Sequence, residues 1–167
     1  YVSKLNDAAE KIYQGLSQNK EKIAVSYSST VFGEEEKINV YEDSVIEKYF
    51  QALSEHLEED IRAGMTSVGV QRDDIEVMID GYSAKTYGSQ GQKRSCALTL
   101  KLAEASLLHS ITGENPVILL DDVMSELDAH RQDYILNHVK NDQVFITCCD
   151  ISNALRLKPV SYTHLRA

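Results

Sequence analysis

No apolar run in the 167-residue chain approaches the roughly 18 residues that a membrane-spanning helix needs. Cysteine is scarce, at Cys96, Cys148 and Cys149 alone. No pair has the spacing of a zinc site, and two adjacent residues on a strand point to opposite faces. The three read as reduced core thiols, which predicts a cytoplasmic protein. Basic residues are in deficit: 17 Lys and Arg stand against 26 Asp and Glu, for a net charge of −9. The composition therefore lacks the basic footprint of a nucleic-acid binder, although a segment need not carry its parent's DNA-facing surface. No G-x-x-x-x-G-K-[ST] occurs, so the phosphate cradle, lysine and Mg²⁺ ligand of a P-loop are missing. The chain starts at Tyr1 with neither a Met nor a signal-peptide pattern, and reads as a segment of a longer protein.

What is present suffices for one core. Hydrophobic residues make up 43% of the chain and charged residues 26%, as in an ordinary soluble domain. Val2, Leu5, Ala9, Ile12 and Leu16 form a helical stripe. Ile23, Val25 and Tyr27 alternate with polar residues, predicting a half-buried strand. A glutamate-rich loop follows Gly33. Ser44 and Glu47 have capping-box spacing ahead of a second stripe, Ile46, Phe50, Leu53, Leu57 and Ile61, which should stop at Gly64. Ile75, Val77 and Ile79 alternate into Asp80-Gly81, a favoured hairpin turn, with a return strand expected from Tyr82 to Lys85. From Gly91 to about Ser110 the pattern is apolar nearly all round, predicting a helix buried on most sides and ended by Gly113. Val117 to Leu120 reads as a strand in the middle of a parallel sheet. Asp128 is placed to cap a helix to about Lys140, Gln143 to Cys148 reads as a further strand, and Asp150 as the cap of a last helix.

Two stretches carry chemistry. Gly88-Ser89-Gln90-Gly91-Gln92-Lys93-Arg94 sits at the head of the apolar helix. Small residues there let backbone amides approach an anion, and the helix adds the positive end of its dipole. Ser89 can donate its hydroxyl to a phosphate oxygen. Val117-Ile118-Leu119-Leu120-Asp121-Asp122 is an apolar strand ending in two carboxylates. The C-terminal end of a parallel strand is where such sheets place ligands. Asp121 can hold Mg²⁺, usually through water, and Asp122 can orient or deprotonate an attacking water.

The order of these stretches, with Ser125-Glu126-Leu127-Asp128 directly after them, resembles the C-terminal part of ABC-type ATPases. There the turn is the signature motif, the acidic strand Walker B and the last segment the D-loop. The wording around them resembles the RecF family of bacterial DNA-repair proteins, as do Gly64-x-Thr66-x-x-Gly69-x-x-Arg72-Asp73-Asp74 and Phe145-Ile146-Thr147 before Asp150. The resemblance covers residues 1 to about 158 and implies an α/β fold: a partial ABC-type head with a parallel-sheet core and flanking helices, plus part of a helical and hairpin second lobe. It divides the chain into 1–65 (second lobe and linking strand), 66–158 (ATPase lobe) and 159–167, a tail of non-native appearance.

By the same resemblance two ATP molecules are sandwiched between two protomers. Ser89, Gln90, Gly91 and Gln92 would then contact ATP in trans, Ser125 and Asp128 would act as D-loop residues, Asp121 would serve Mg²⁺ and Asp122 catalysis. The implied partners are single-stranded, gapped or junction DNA and the RecR and RecO mediators, with RecA loaded indirectly. The implied setting is replication, recombination and the SOS response. Cys149 stands where most ABC ATPases have a switch histidine, and Asp122 where most have Glu, which implies slow hydrolysis by the full-length dimer and none by this chain alone. Val70-Gln71 replace the family's usual Pro-His. Alternatives weighed on the same pattern are an SMC-like or recombination-nuclease head, which needs long heptad arms, a transporter subunit, which needs the histidine, and a non-catalytic interaction segment.

Overall fold

The computed structural model describes residues 1–33, 43–124 and 127–147. The glutamate run at 34–36, Ser125, Cys149 and the helix expected after Asp150 lie outside these residues.

Helix α1 (Val2–Ser17) follows from the first stripe. Leu5, Ala9, Ile12, Tyr13 and Leu16 are all buried and form the centre of the core. Truncating one of the larger ones to Ala removes about 2–5 kcal/mol of stability. Gln18 and Asn19 both take positive φ, and the Asn19 amide bonds back to Gln14 O, so α1 ends sharply and the chain reverses. It then enters β1 (Ile23–Ser28), an edge strand among the described residues, whose Val25 amide donates to Asn6 Oδ1 on α1 at 2.7 Å.

Strands β1, β2 (Asp74–Ile79) and β3 (Tyr82–Ser83) form an antiparallel sheet in that order. Asp80 (φ 49°) and Gly81 (φ 84°) make the expected hairpin turn with both central residues left-handed. The return strand ends at Ser83, not Lys85. Ala84 is drawn into the core and the chain turns at once into the short helix α3 (Ala84–Tyr87).

Helix α2 (Asp43–Ala63) forms where the second stripe predicts and ends at Gly64 with φ 67°. It starts at Asp43, which puts Ser44 inside the first turn. None of its residues is buried: Ile46, Phe50, Leu57 and Ile61 are exposed, because none of the described elements packs on that stripe. Behind it, the segment from Gly64 to Asp74 folds around a single 3₁₀ turn, Val70–Arg72.

Helix α4 (Gln90–Thr112) packs on α1 and ends at Gly113. Its middle is buried, at Ser95, Cys96, Leu98, Thr99, Leu102, Ala103 and Leu107. The expected burial on most sides does not hold throughout. Leu108 and Ile111 are exposed, since the last turn runs past the core.

Strands β4 (Val117–Asp121) and β5 (Gln143–Thr147) pair in parallel, joined by α5 (Ala129–His138). The parallel arrangement is the expected one, but β4 is not covered on both faces. Leu120 is buried while Leu119 is 73% exposed, and Phe145, its register partner, is exposed too. Only one face meets the described helices. Helix α5 crosses α1 at Gly15, where a Cβ would stand 1.9 Å from the Tyr134 ring, so only glycine lets the two helices meet this closely.

Candidate functional site

The head of α4 is built from Gly88 onward. The Gly88 amide donates to Ala84 O at 3.1 Å, and a Cβ there would come within 2.5 Å of that carbonyl. Ser89 is the N-cap. Its Oγ accepts from the Gln92 amide at 3.2 Å, and its own amide donates to Gln92 Oε1 at 2.8 Å, which is a reciprocal capping box. The box uses one lone pair of the Ser89 hydroxyl and not its proton. The Gln90 and Gly91 amides belong to the first turn, where no intrahelical acceptor exists. Ser89, Gln90 and Gly91 are exposed and Gln92 is half-buried. The result is an exposed serine beside two first-turn amides at the positive end of a 23-residue helix.

Gln92 does more than close the box. Its Nε2 donates to Glu21 Oε1 at 2.8 Å, and Tyr13 donates its hydroxyl to Glu21 Oε2 at 2.8 Å. Ser17 Oγ donates to the Glu21 carbonyl at 3.2 Å. Burial first, and the Glu21 bond second, push the Tyr13 hydroxyl far above its ordinary range, so Tyr13 is a permanent donor. Burial likewise pushes the neighbouring Cys96 thiol up to about 11, which makes it inert.

The acidic strand presents a second cluster. Asp121 lies in register with Thr147 at the ends of β4 and β5. Thr147 Oγ1 donates to Asp121 Oδ1 at 2.5 Å and accepts from the Asp122 amide at 2.9 Å. Asp122 is left-handed, with φ 50°, a conformation that costs about 1–2 kcal/mol outside glycine. One hydroxyl thus fixes the first acid and the turn into the second. Both acids are exposed. Among the described residues no three His, Cys, Asp or Glu converge as a metal cage, so a cation here would have to keep part of its water shell.

Asp128 caps α5 through the Arg131 amide at 2.9 Å and pairs with Arg131 Nη1 at 3.2 Å. That same Nη1 is 4.0 Å from where a Cβ on Gly91 would stand, so the start of α5 lies against the turn at the head of α4 within one chain. Gln132, buried, donates to the carbonyls of Met124 at 2.7 Å and Leu127 at 3.1 Å, and holds the segment leading into Asp128. A recess of about 240 Å³, lined by residues that include Glu21, Asp128 and Arg131, separates the end of α1 from the start of α5.

Of the residues named from sequence, Ser89, Gln90, Gly91 and Gln92 share one helix end, Asp128 adjoins it through Arg131, and Asp121 and Asp122 form a separate pair at the strand ends. Ser125 and Cys149 lie outside the described residues. Sequence reasoning missed Glu21, Tyr13 and Gln132, and gave Thr147 no role. The capping-box spacing was read at Ser44 and Glu47 but not in the Ser-x-x-Gln of 89–92, where the structure has it.

No family model matches the chain. The DNA replication and repair protein RecF of Clostridium acetobutylicum is 39% identical over 153 residues, 92% of this chain and 40% of that protein. RecF of Lysinibacillus sphaericus is 42% identical over 90% of this chain and 40% of that protein. A solved structure of the recombination mediator protein RecF with ATPγS, from the RecFOR pathway, superposes with a TM-score of 0.74 at 41% identity, covering 92% of this chain and 40% of that one. Its ATP-bound counterpart gives 0.72 at 38% identity. The chain spans about 40% of the length of these relatives. By sequence and by backbone alike, 92% of this chain aligns with RecF DNA replication and repair proteins.

Proposed function

We propose that this chain supplies two separate ATP-facing surfaces of a RecF-type DNA replication and repair protein. The observation that carries this is the Ser89–Gln92 capping box, which does not use the Ser89 hydroxyl proton or the first amides of α4, on residues that are exposed. An anion-binding helix end of this kind suits the γ-phosphate of a nucleotide. It stands apart from the acidic pair at the end of β4, so the two serve different nucleotides: Ser89, Gln90, Gly91 and Gln92 one held by a partner protomer, and Asp121 and Asp122 one held by their own.

The acidic pair fits this role. Thr147 occupies one oxygen of Asp121 and leaves the other to a water of the Mg²⁺ shell. On this reading Asp122 takes a proton from water, and Asp128 lines the junction between protomers. Mg²⁺ bound with ATP would neutralise charge on the phosphates. The exposed stripe of α2 belongs, on this reading, to the second lobe of the head. RecO and RecR as partners, gapped or single-stranded DNA as ligand and loading of RecA as outcome follow from the family, whose solved members are described as recombination mediators of the RecFOR pathway.

The test is a full-length RecF protein in which this segment replaces the native one. It should sediment as a dimer with ATP and Mg²⁺, and Ser89→Arg should abolish the dimer while each protomer still binds ATP. A monomer at saturating ATP would overturn the proposal.

A further inference from the structure

We infer that Glu21 is a positioning residue for the Ser89 turn. The inference rests on the reading of that turn as a trans nucleotide contact. Glu21 lies 71 positions before Gln92, in the reversal that the two left-handed residues Gln18 and Asn19 impose after α1. Its backbone carbonyl is held by Ser17 and one carboxylate oxygen by Tyr13. Tyr13 is 1% exposed, so the carboxylate is anchored to the core. The other oxygen takes the Gln92 amide nitrogen at 2.8 Å.

A carboxamide has two unlike ends. With its nitrogen on an acceptor-only carboxylate, Gln92 must turn its oxygen toward the Ser89 amide, where it accepts at 2.8 Å. Glu21 therefore anchors the one orientation of Gln92 that closes the capping box, the same orientation that the Ser89 amide requires. That box sets where the Ser89 hydroxyl points. Without the carboxylate, Gln92 regains its rotamers, and the Ser89 amide alone is left to hold its oxygen. The route from core to turn is continuous: Tyr13, Glu21, Gln92, Ser89.

The experiment uses the full-length RecF protein carrying this segment, with ATP-dependent dimerisation measured by sedimentation and protomer ATP binding by titration. Glu21→Ala should weaken dimerisation about tenfold, the worth of one hydrogen bond to a charged group, with ATP binding unchanged. Glu21→Gln should restore it, because its amide oxygen still accepts from Gln92 and its nitrogen can donate to the Tyr13 oxygen. Glu21→Ala combined with Gln92→Ala should weaken dimerisation no more than Gln92→Ala alone. Additive losses, or normal dimerisation in Glu21→Ala while Ser89→Arg abolishes it, would overturn the role of Glu21. Normal dimerisation in Ser89→Arg would instead overturn the reading of the turn. A lowered melting temperature in Glu21→Ala without any change in dimerisation would make Glu21 a fold residue only, and that too overturns the inference.

Discussion

The Gln92 side chain reaches Glu21 at 2.8 Å across 71 residues of sequence. That bond joins the head of α4 to the chain reversal after α1, at the point where Arg131 of α5 also arrives. Three elements far apart in sequence thus meet behind one exposed serine. The turn is held from behind while its outward groups stay uncommitted, an arrangement suited to meeting a ligand without reorganising.

The two glycines of that turn have opposite tolerances. A Cβ at Gly88 would lie 2.5 Å from the Ala84 carbonyl, and backbone cannot move aside cheaply. A Cβ at Gly91 has its nearest contact at 4.0 Å, on the end of a flexible arginine. Gly88→Ala should lower stability by about 1–3 kcal/mol, and Gly91→Ala should leave it within about 0.5 kcal/mol. Denaturant titration of both variants checks the contrast. Gly91→Trp should still fold yet block ATP-dependent dimerisation, since its bulk faces outward.

At the acidic strand the expected difference is one of activity more than of fold. Thr147→Val removes the donor to Asp121 and the acceptor of the Asp122 amide together. Both acids are exposed, so water replaces the lost partners and stability should fall by only about 1 kcal/mol. Their geometry is no longer fixed, and ATP turnover by the RecF protein carrying this segment should drop about tenfold, within the range that positioning commands. Thr147→Ser should recover most of it. Single-turnover kinetics with the three side chains in turn would separate this from a stability effect.

Much of this was readable in the sequence, for local reasons. The period of α1, the Asp80-Gly81 hairpin, the glycine ends of α2 and α4 and the Asp128 cap all follow from side chains within a few residues of each other. The misses share a different cause. Whether Leu119 or Phe50 is covered depends on what packs against it, and a stripe of apolar residues states a capacity for burial without naming its partner. The return strand stops at Ser83 because Ala84 is taken into a core assembled mostly from α1 and α4. Glu21 was invisible because no spacing rule links position 21 to position 92. Thr147 acquires its role from the parallel register of β4 and β5, which composition does not encode.

The crossing of α1 and α5 offers a test of packing. A methyl at Gly15 would stand 1.9 Å from Tyr134 Cε2, inside the ring's own volume. Tyr134 stacks on His138 at 5.9 Å, which limits how far it can swing. Gly15→Ala should therefore destabilise by about 2–3 kcal/mol through overpacking. Tyr134→Ala should also destabilise, through lost packing, and the double variant should be more stable than the sum of the two losses predicts. A coupling near zero in the double-mutant cycle would show that the helices slide apart.

The segment from Gly64 to Asp74 predicts a response to pH. Asp73 accepts from the Thr30 amide at 2.7 Å, from the Thr30 hydroxyl at 2.8 Å and from the Tyr27 hydroxyl. Burial pushes the Asp73 carboxyl up, but these bonds outweigh it, so the net shift lies below the ordinary value of 3.8. Its contribution to stability is therefore complete above 3.8 and is lost as the pH falls through the lower folded value. Tyr27 moves the other way: the bond to Asp73, then burial, pushes it up to about 12 from 10.0. Its contribution is complete below pH 10.0 and disappears as the pH rises through about 12. Asp73→Asn removes the charge that drives both shifts. Relative to the parent, the variant should be less stable across neutral pH, lose less of its stability below pH 3.8, and keep more of its remaining stability in strong alkali. Denaturation midpoints followed in acid, at neutrality and in alkali give the three comparisons. Parallel curves for the two proteins would mean that Thr30 and Tyr27 hold the segment without the carboxylate.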